Sequence, residues 1–330
     1  MKNNVLVVGS NSFSGSNFIN YLLNLEINVF GVSRSAELDK FFLPYKTNKY
    51  YKNFQFHRLD INVDLPAVID LVKKYKISHV VNFASQSMVA QSWDNPEHWY
   101  TTNTLSTIRF HNELKNLDFL DKYLHVSTPE VYGSCSGLIH EHTHYNPSTP
   151  YATSRAATDM SLKNFFDAYR FPVVFTRAAN VFGEHQQLYR IVPKTILSIL
   201  TKQKLPLHGG GYSMRSFIHM DDVSDATYKI LEKGRLGDIY HISTSRNIMI
   251  RELVEMIALQ LNSTLEECCD SVDERQGKDG AYLLDSAKLR SELFWEDKIS
   301  LENGIEKTIR WVSENLNILL KQPLDYIHKP

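Results

Sequence analysis

The sequence predicts an α/β fold, with a doubly wound parallel sheet in the first half of the chain and a smaller, mostly helical lobe after it. Two observations predict this fold. Short apolar strands alternate with helical patterns up to about residue 180, an alternation typical of parallel sheets that carry helices on both faces. From about residue 183 the pattern becomes irregular, and from about residue 244 it is mainly helical.

The composition is that of a folded protein with little net charge. The 330 residues are 43% hydrophobic and 22% charged, as in folded globular domains. Because 36 basic residues balance 37 acidic ones, we expect no nucleic-acid partner and no attraction to an anionic membrane. The apolar run at the N-terminus is too short for a signal peptide or a spanning helix. The three cysteines have no disulfide or zinc spacing, which favours a cytoplasmic location.

The elements follow in order from apolar runs, helical periodicity and turn residues. The predicted strands are 5–8, 28–32, 54–59, 79–83, 123–126, 172–176 and 216–219. The predicted helices are 14–25, 65–75, 97–117, 189–202 and 221–233, and another begins near Pro150. Ligands of such sheets bind at the carboxyl ends of the strands, so residues placed there are the first candidates for a site.

A glycine loop follows the first predicted strand and precedes the first helix. Glycine is needed where the chain turns tightly and where its backbone approaches a pyrophosphate at a helix N-terminus. Here the middle glycine of the usual pattern is a serine, but the strand–loop–helix context favours a dinucleotide site and a Rossmann-like sheet over a simple turn. The candidate cofactor-binding residues of this loop are Gly9, Ser12, Phe13, Ser14 and Gly15.

The end of the second strand discriminates between cofactors. NAD sites usually place an acid there, whereas NADP sites carry groups that hold a 2′-phosphate. This chain has Ser33 and Arg34 and no acid, which favours NADP over NAD, although Arg34 is also compatible with a solvated surface position. Asp60 and Ile61 follow the third strand and fit an adenine contact or a helix cap.

Tyr151 and Arg155 lie four residues apart in the first turns of the helix that begins near Pro150. This spacing places both side chains on one helical face. A tyrosine can act as a base near neutral pH only if its pKa falls by about 3 units from 10, and a nearby cation supplies part of that fall.

Three motifs carry a resemblance to a known family. They are Gly9-x-x-x-x-x-Gly15, Ser127-Thr128-x-Glu130-Val131-Tyr132-Gly133 and Pro150-Tyr151-x-x-x-Arg155. Together they resemble the extended short-chain dehydrogenases/reductases, and within these the nucleotide-sugar 4,6-dehydratases. The resemblance covers nearly the whole chain and includes segments 82–103, 176–194, 205–223 and 275–289.

The resemblance implies an internal redox cycle on a nucleotide-diphosphate hexose with NAD(P). Tyr151 would accept the proton of the sugar 4-hydroxyl, with Thr128 positioning that oxygen, and Glu130 would remove the C5 proton as water leaves from C6. The product would be a 4-keto-6-deoxy sugar. Further positions implied by the resemblance are Arg155 and Ala84 at the cofactor, and Ser87, Asn180, Arg190, Arg215 and Arg275 at the substrate.

The resemblance also implies two lobes and a pair of subunits. The expected dinucleotide-binding lobe is 1–180 plus about 214–243, and the expected nucleotide-sugar-binding lobe is about 181–213 plus 244–330. Members of the family pair through two helices, here 97–117 and 151–169, so we expect a homodimer. The arginines assigned to the substrate are otherwise explained as surface charge.

The chain departs from the family pattern at several positions. Pro129 replaces an aspartate that protonates the departing hydroxyl, and Arg155 replaces the usual lysine. Ser12 should weaken or reshape the pyrophosphate turn. Residues 88, 90 and 91 (Met, Ala and Gln) replace polar or charged residues usual near the substrate, so the sugar or the nucleotide should be atypical.

Two alternatives to dehydration remain. A C4 epimerase or 4-keto reductase of the same fold needs Tyr151 but not Glu130, so the presence of Glu130 disfavours it. A weakly catalytic or non-catalytic NAD(P)-binding protein is made plausible by Pro129 together with Arg155.

The segment 140–144 matches the His-Glu-x-x-His pattern of zinc proteases. That chemistry needs both histidines on one helical face. Prolines follow closely and the preceding stretch has the composition of a loop, so we predict no metal site.

Overall fold

The computed structural model describes residues 4–135, 137–273 and 283–329. The strands are β1 (Asn4–Val8), β2 (Asn28–Ser33), β3 (Phe54–Arg58), β4 (His79–Asn82), β5 (Lys122–Val126), β6 (Leu138–Ile139), β7 (Val173–Ala178), β8 (Asn180–Phe182), β9 (Leu205–His208), β10 (Met214–His219), β11 (Ile239–Ile242), β12 (Asn247–Met249), β13 (Cys269–Val272) and β14 (Leu283–Leu284). The α-helices are α1 (Phe13–Asn24), α2 (Leu65–Lys74), α3 (Pro96–Trp99), α4 (Thr107–Leu114), α5 (Pro150–Tyr169), α6 (Ile191–Leu200), α7 (Met220–Lys233), α8 (Ile250–Gln260), α9 (Leu265–Cys268), α10 (Ala287–Leu293) and α11 (Leu301–Leu319).

A seven-stranded parallel sheet organises the first half of the chain. Its strand order is β3-β2-β1-β4-β5-β7-β11, and Val8 at the end of β1 is in register with Val32 on one side and Asn82 on the other. The direction of the order reverses at β1, which makes the gap between β1 and β4 the place where a ligand is expected. The predicted doubly wound parallel sheet is confirmed.

The two faces of the sheet are covered by different helices. On β1, Val5 and Val7 pack with α1 and α7, whereas Leu6 and Val8 pack with α2, α4 and α5, as the alternation of side chains along a strand requires. All four side chains are almost completely buried. Burial of each stabilises the fold by about 1.5–3 kcal/mol, so the carboxyl end of β1 is held on a rigid base.

The second lobe has its own core, formed by α6, α8 and α11 around the three-stranded sheet β12-β10-β8. Short strands that the sequence did not predict accompany these helices, because pieces of two to four residues are too short to show a period. α7 packs on α1 and β11 joins the central sheet, while β10 pairs with β8. The lobe bounds at 180, 213 and 243 stay a prediction. No helix within the described ranges is both long and apolar enough to cross a membrane.

The helix predicted at 97–117 is a succession of three pieces. α3 passes into a wider π-helical stretch, Tyr100–Ser106, before α4 begins. Within this stretch Asn103 exchanges hydrogen bonds of 2.8 and 3.0 Å with the backbone of Gln86, and its carbonyl accepts one of 2.6 Å from the Thr158 hydroxyl. Of these bonds, the one from Thr158 engages a backbone carbonyl of the helical stretch itself. Such widening is frequent near functional sites, and here it fixes the loop that follows β4.

Candidate active site

Predicted cofactor residues from four separate parts of the chain line one cleft at the carboxyl ends of β1, β2, β3 and β4. They are Gly9, Ser12, Ser33, Arg34, Asp60, Ile61 and Ala84. The cleft therefore lies at the reversal of strand order, where an open parallel sheet binds its ligand. Phe13, Ser14 and Gly15 form the first turn of α1 beside it.

Both glycines of the loop are sterically required. Gly9 has φ 84°, and a Cβ there would lie 2.7 Å from the backbone nitrogen of Ala84. A Cβ on Gly15 would lie 2.3 Å from the carbonyl oxygen of Gly9. Glycine at position 9 therefore allows the ends of β1 and β4 to lie this close together, and glycine at position 15 allows α1 to start this close to the end of β1.

Ser12 replaces a glycine without distorting the turn. Its φ of −74° is ordinary for any L-residue, and its Oγ accepts a hydrogen bond of 3.0 Å from the Gly15 N–H as the N-cap of α1. The hydroxyl thus occupies one backbone donor of the first turn. The N–H groups of Phe13 and Ser14 belong to the same turn and have no partner within the helix, so they are the donors suited to a diphosphate.

The motif after β5 forms a short 3₁₀ turn, Pro129–Tyr132, with Thr128 as its N-cap. The Glu130 N–H donates to Thr128 Oγ1 at 3.4 Å, and Thr128 Oγ1 donates to Glu130 Oε2 at 2.8 Å. Pro129 occupies the first position of the turn, where its fixed φ favours this geometry. The hydroxyl and the carboxylate expected to act on the sugar are therefore in direct contact.

Tyr151 enters the site from the start of α5. Thr149 caps this helix and Pro150 follows it, and the phenol is almost completely buried. Burial and the Glu130 carboxylate raise the pKa of Tyr151 to about 12, against the opposing effects of Arg155, a hydrogen bond with Thr128, and Arg190. The fall in pKa that sequence reasoning required is not seen in the protein alone, so Tyr151 is protonated at neutral pH.

Arg155 is directed largely into the protein. Its side chain is buried, and its Nη2 donates to the carbonyl of Val126 and contacts His125 Nε2 at 3.2 Å, so it ties α5 to β5. Its Nη1 is buried and has no hydrogen-bond partner among the residues that the structure describes. The role of Arg155 at a cofactor stays a prediction.

A buried polar network beneath Arg155 was not foreseen from the sequence. Asp159, one turn further along α5, accepts hydrogen bonds of 2.8 Å from Arg177 Nη2 and 2.7 Å from Ser127 Oγ. Burial and the nearby arginines keep the pKa of His125 well below its usual range, so this ring is neutral. No local pattern indicates this network, because Ser127 and Arg177 lie 32 and 18 residues from Asp159 in the chain.

Some of the predicted substrate residues lie close together. Arg190 Nη2 donates a hydrogen bond of 3.2 Å to Ser87 Oγ, and the charge of Arg190 lowers the pKa of Tyr151. Asn180 and Arg215 lie on the paired strands β8 and β10. Arg275 lies outside the described residues. The roles of these residues as ligands stay predictions.

The segment 140–144 is not helical. His140 pairs with Asp285 at 3.0 Å, and Glu141 accepts a hydrogen bond of 3.0 Å from the His241 N–H. Across residues 4–135, 137–273 and 283–329, no group of three or more His, Cys, Asp or Glu side chains is placed to hold a metal ion.

The chain is similar to known proteins over most of its length. Residues 6–308 match the family described as GDP-mannose 4,6 dehydratase. A probable dTDP-glucose 4,6-dehydratase of Sinorhizobium fredii is 30% identical, with 94% of this chain and 93% of that protein covered. The human dTDP-D-glucose 4,6-dehydratase is 32% identical, with 95% and 91% covered.

Solved structures of nucleotide-sugar enzymes are likewise similar to this chain over most of its length. A double mutant of the Streptomyces venezuelae dTDP-glucose 4,6-dehydratase with bound NAD superposes with a TM-score of 0.88 at 28% identity, covering 95% of this chain and 98% of that one. A Bacillus cereus UDP-glucuronic acid 4-epimerase with bound NAD superposes with a TM-score of 0.84 at 25% identity, covering 94% and 99%.

Proposed function

The chain belongs to the GDP-mannose 4,6-dehydratase family of extended short-chain dehydrogenases/reductases and is a nucleotide-sugar 4,6-dehydratase, a hydro-lyase with a nicotinamide cofactor; on that premise we propose that Tyr151, Thr128 and Glu130 carry its chemistry. The observation that supports this assignment is the hydrogen bond of 2.8 Å from Thr128 to Glu130, together with the Thr128–Tyr151 contact. Phenol, hydroxyl and carboxylate form one connected set.

In the first stage Tyr151 accepts the proton of the sugar 4-hydroxyl. Its raised pKa keeps it protonated in the protein alone, so further positive charge is needed before it can act as a base near neutral pH. An oxidised nicotinamide supplies that charge when bound, as well as the hydride acceptor and later donor for the sugar carbons. Arg155 and Arg190 lower the pKa of Tyr151 in the same direction.

In the second stage Glu130 removes the C5 proton of the 4-keto sugar. The carboxylate accepts this proton, the C5–C6 bond gains double-bond character, and the C6 hydroxyl leaves. Pro129 has no proton to donate, so Glu130 returns its newly gained proton to that hydroxyl, which departs as water. C6 then receives the hydride, and C5 regains a proton from solvent by way of Glu130, which gives the 4-keto-6-deoxy sugar. Thr128 keeps Glu130 in place through both transfers, because it bonds to the carboxylate directly.

The cleft at the reversal of strand order fits a dinucleotide. Gly9 lies so close to the backbone of Ala84 that no side chain fits at position 9. The first turn of α1 offers N–H donors to a diphosphate. Arg155 Nη1 is the buried donor suited to a ribose. Of the two nicotinamide dinucleotides we favour NADP, which carries an additional 2′-phosphate, because Ser33 and Arg34 lie where an NAD site usually has an acid. Mass measurement of the extracted cofactor distinguishes NADP from NAD.

We favour a cytoplasmic location and a homodimer. The interface between its subunits would be formed by α5 and by the π-helical stretch that packs on it. Tyr100, Leu105, Met160 and Tyr169 expose apolar surface on these elements, and α5 packs directly on the π-helical stretch. A Met160→Glu exchange should convert the dimer into monomers, as measured by light scattering during gel filtration.

The activity is tested by incubation with dTDP-, UDP-, GDP- and CDP-hexoses. A 4-keto-6-deoxy product from one of them supports the proposal, and its absence from all of them contradicts it. The similarity to a 4-epimerase makes epimerisation the second candidate. It predicts inversion at C4 with the C6 hydroxyl retained and no need for Glu130, so the same product analysis separates the two reactions.

A further inference from the structure

Residues 321–329 follow α11 and cross from the second lobe to the cofactor cleft; we call them the covering segment. Near its start, Leu324 packs against the core of α6, α8 and α11. Asp325 then forms an ion pair of 3.2 Å with Lys194 on α6. Tyr326 packs edge-on against Tyr189, with ring centroids 5.4 Å apart. The segment is thus fixed on the second lobe before it reaches the cleft.

His328 anchors the covering segment on the first lobe. Its ring stacks on those of His98 and Trp99, with centroids 5.1 Å apart in both cases. His328 Nε2 lies 2.8 Å from His98 Nδ1, and its Nδ1 lies 3.2 Å from the Tyr326 hydroxyl. Both ring nitrogens are therefore engaged, and Trp99 beneath the ring is completely buried. Such an anchor holds the segment in one place.

The carbonyl of Lys329 lies at the cleft itself. It accepts hydrogen bonds of 2.7 Å from Gln86 Nε2 and 3.0 Å from Arg34 Nη2. Both donors line the cofactor cleft, Arg34 after β2 and Gln86 after β4. A single carbonyl thus connects the two sides of the cleft, across the end of β1.

The covering segment does not fill the cleft. Among the described residues, those lining it come from the ends of the first four strands and from Thr102, and none belongs to residues 321–329. A segment that bonds to both sides of a cleft without lining its interior leaves room beneath it. This geometry suits a segment that covers a bound molecule better than a segment that occupies the binding site in place of that molecule.

We propose that residues 321–329 are a cover that retains the nicotinamide dinucleotide in its cleft between turnovers. This inference rests on the proposed function, in which the cofactor is restored within each cycle and has no need to leave. The His328 anchor keeps the cover closed, and Arg34 and Gln86 form its seat. Weakening the anchor opens the cover, so the dinucleotide dissociates faster.

The test measures the dissociation rate of the reduced dinucleotide from the full chain. The fluorescence of bound NADPH or NADH is followed after mixing with an excess of the oxidised form, with no sugar present. We expect His328→Ala to accelerate release at least tenfold, and Tyr326→Phe, which removes only the hydroxyl contact, to accelerate it two- to fivefold. Ile327→Ala is the matched control, because that side chain is 62% exposed, and its release rate should stay within twofold of the wild type.

Unchanged or slower release of the dinucleotide from His328→Ala overturns the proposal. Tighter binding of the dinucleotide after removal of residues 321–330 also overturns it, because the segment would then compete with the dinucleotide. Since no sugar is used, failure of the cover and failure of the dehydratase assignment are distinguishable. If the wild-type chain forms no product with any hexose, but the His328→Ala variant still releases the cofactor faster than the wild type, the cover is supported and the dehydratase activity is not.

Discussion

Replacing Asp159 with asparagine removes a buried charge while keeping the shape of the side chain. Asp159 and Arg177 are both inaccessible to solvent and 2.8 Å apart, and Asp159 also accepts a hydrogen bond from Ser127. In the variant the guanidinium of Arg177 stays buried without its counter-ion. Breaking a buried pair in this way costs about 3–5 kcal/mol.

The expected change in melting temperature follows from the size of the chain. An unfolding entropy of about 2.1 cal/mol/K per residue gives about 0.7 kcal/mol/K for a chain of this length. The loss of stability in Asp159→Asn therefore lowers the melting temperature by about 4–7 °C. Thermal unfolding followed by circular dichroism at pH 7 measures this shift.

Asp167→Asn on the same helix is the matched control. Asp167 pairs with Lys163 at 2.5 Å, but both side chains are substantially exposed, and such a surface pair contributes only about 0–1 kcal/mol. Its melting temperature should fall by less than about 1.5 °C. Equal shifts in the two variants, or a shift below about 1.5 °C in Asp159→Asn, would refute the reasoning that the buried network stabilises the fold.

Further predictions concern the carboxylate, the glycine loop and the cover. Glu130→Gln should abolish exchange of the C5 proton with solvent, as followed by NMR in deuterated water, while cofactor binding persists. Because the substitution removes a negative charge, it should also lower the pKa of Tyr151. Exchange of the C5 proton at the wild-type rate would exclude Glu130 from the chemistry. Gly15→Ala places a methyl group against the Gly9 carbonyl and should weaken cofactor binding at least tenfold in a fluorescence titration, whereas unchanged affinity would contradict the close approach. Burial, together with the charges of the facing His98 and Arg34, keeps the pKa of His328 below its ordinary value, so the closed cover favours the neutral ring. Cofactor release should therefore be slow at pH 7.5 and accelerate as the pH falls below about 6.5. A rate that is constant or slower in acid would argue against this anchor.

The features predicted correctly from the sequence have local causes. Gly9 and Gly15 were identified because the positive φ of Gly9 and the contact of Gly15 with the Gly9 carbonyl arise within one short loop, although Ala84, which also crowds Gly9, is distant in the chain. The start of α5 was identified because Pro150 marks it, and Thr149 caps it in the structure. The parallel sheet was predictable because several of its strands, such as β1, are short apolar runs, as expected for strands buried on both faces, whereas the short strand β11 was not predicted.

The features that sequence reasoning missed depend on distant partners. The four-residue spacing correctly placed Arg155 on the face of Tyr151, but spacing does not tell which atoms a long side chain reaches, and it reaches Val126 on another strand. The pKa of Tyr151 depends on burial, which no local pattern reveals. The partners of Lys329 lie 243 and 295 residues away in the chain, so the covering segment leaves no periodic signal.

The cap formed by Ser12 changes what a glycine fingerprint should be taken to mean. Only the first and last glycines answer a steric demand, whereas the middle residue has an ordinary φ and a hydroxyl that replaces one ligand of the helix N-terminus. A search that demands three glycines would pass over this loop. The more general signature is two obligatory contacts between backbones, with a central position open to any small side chain able to cap a helix.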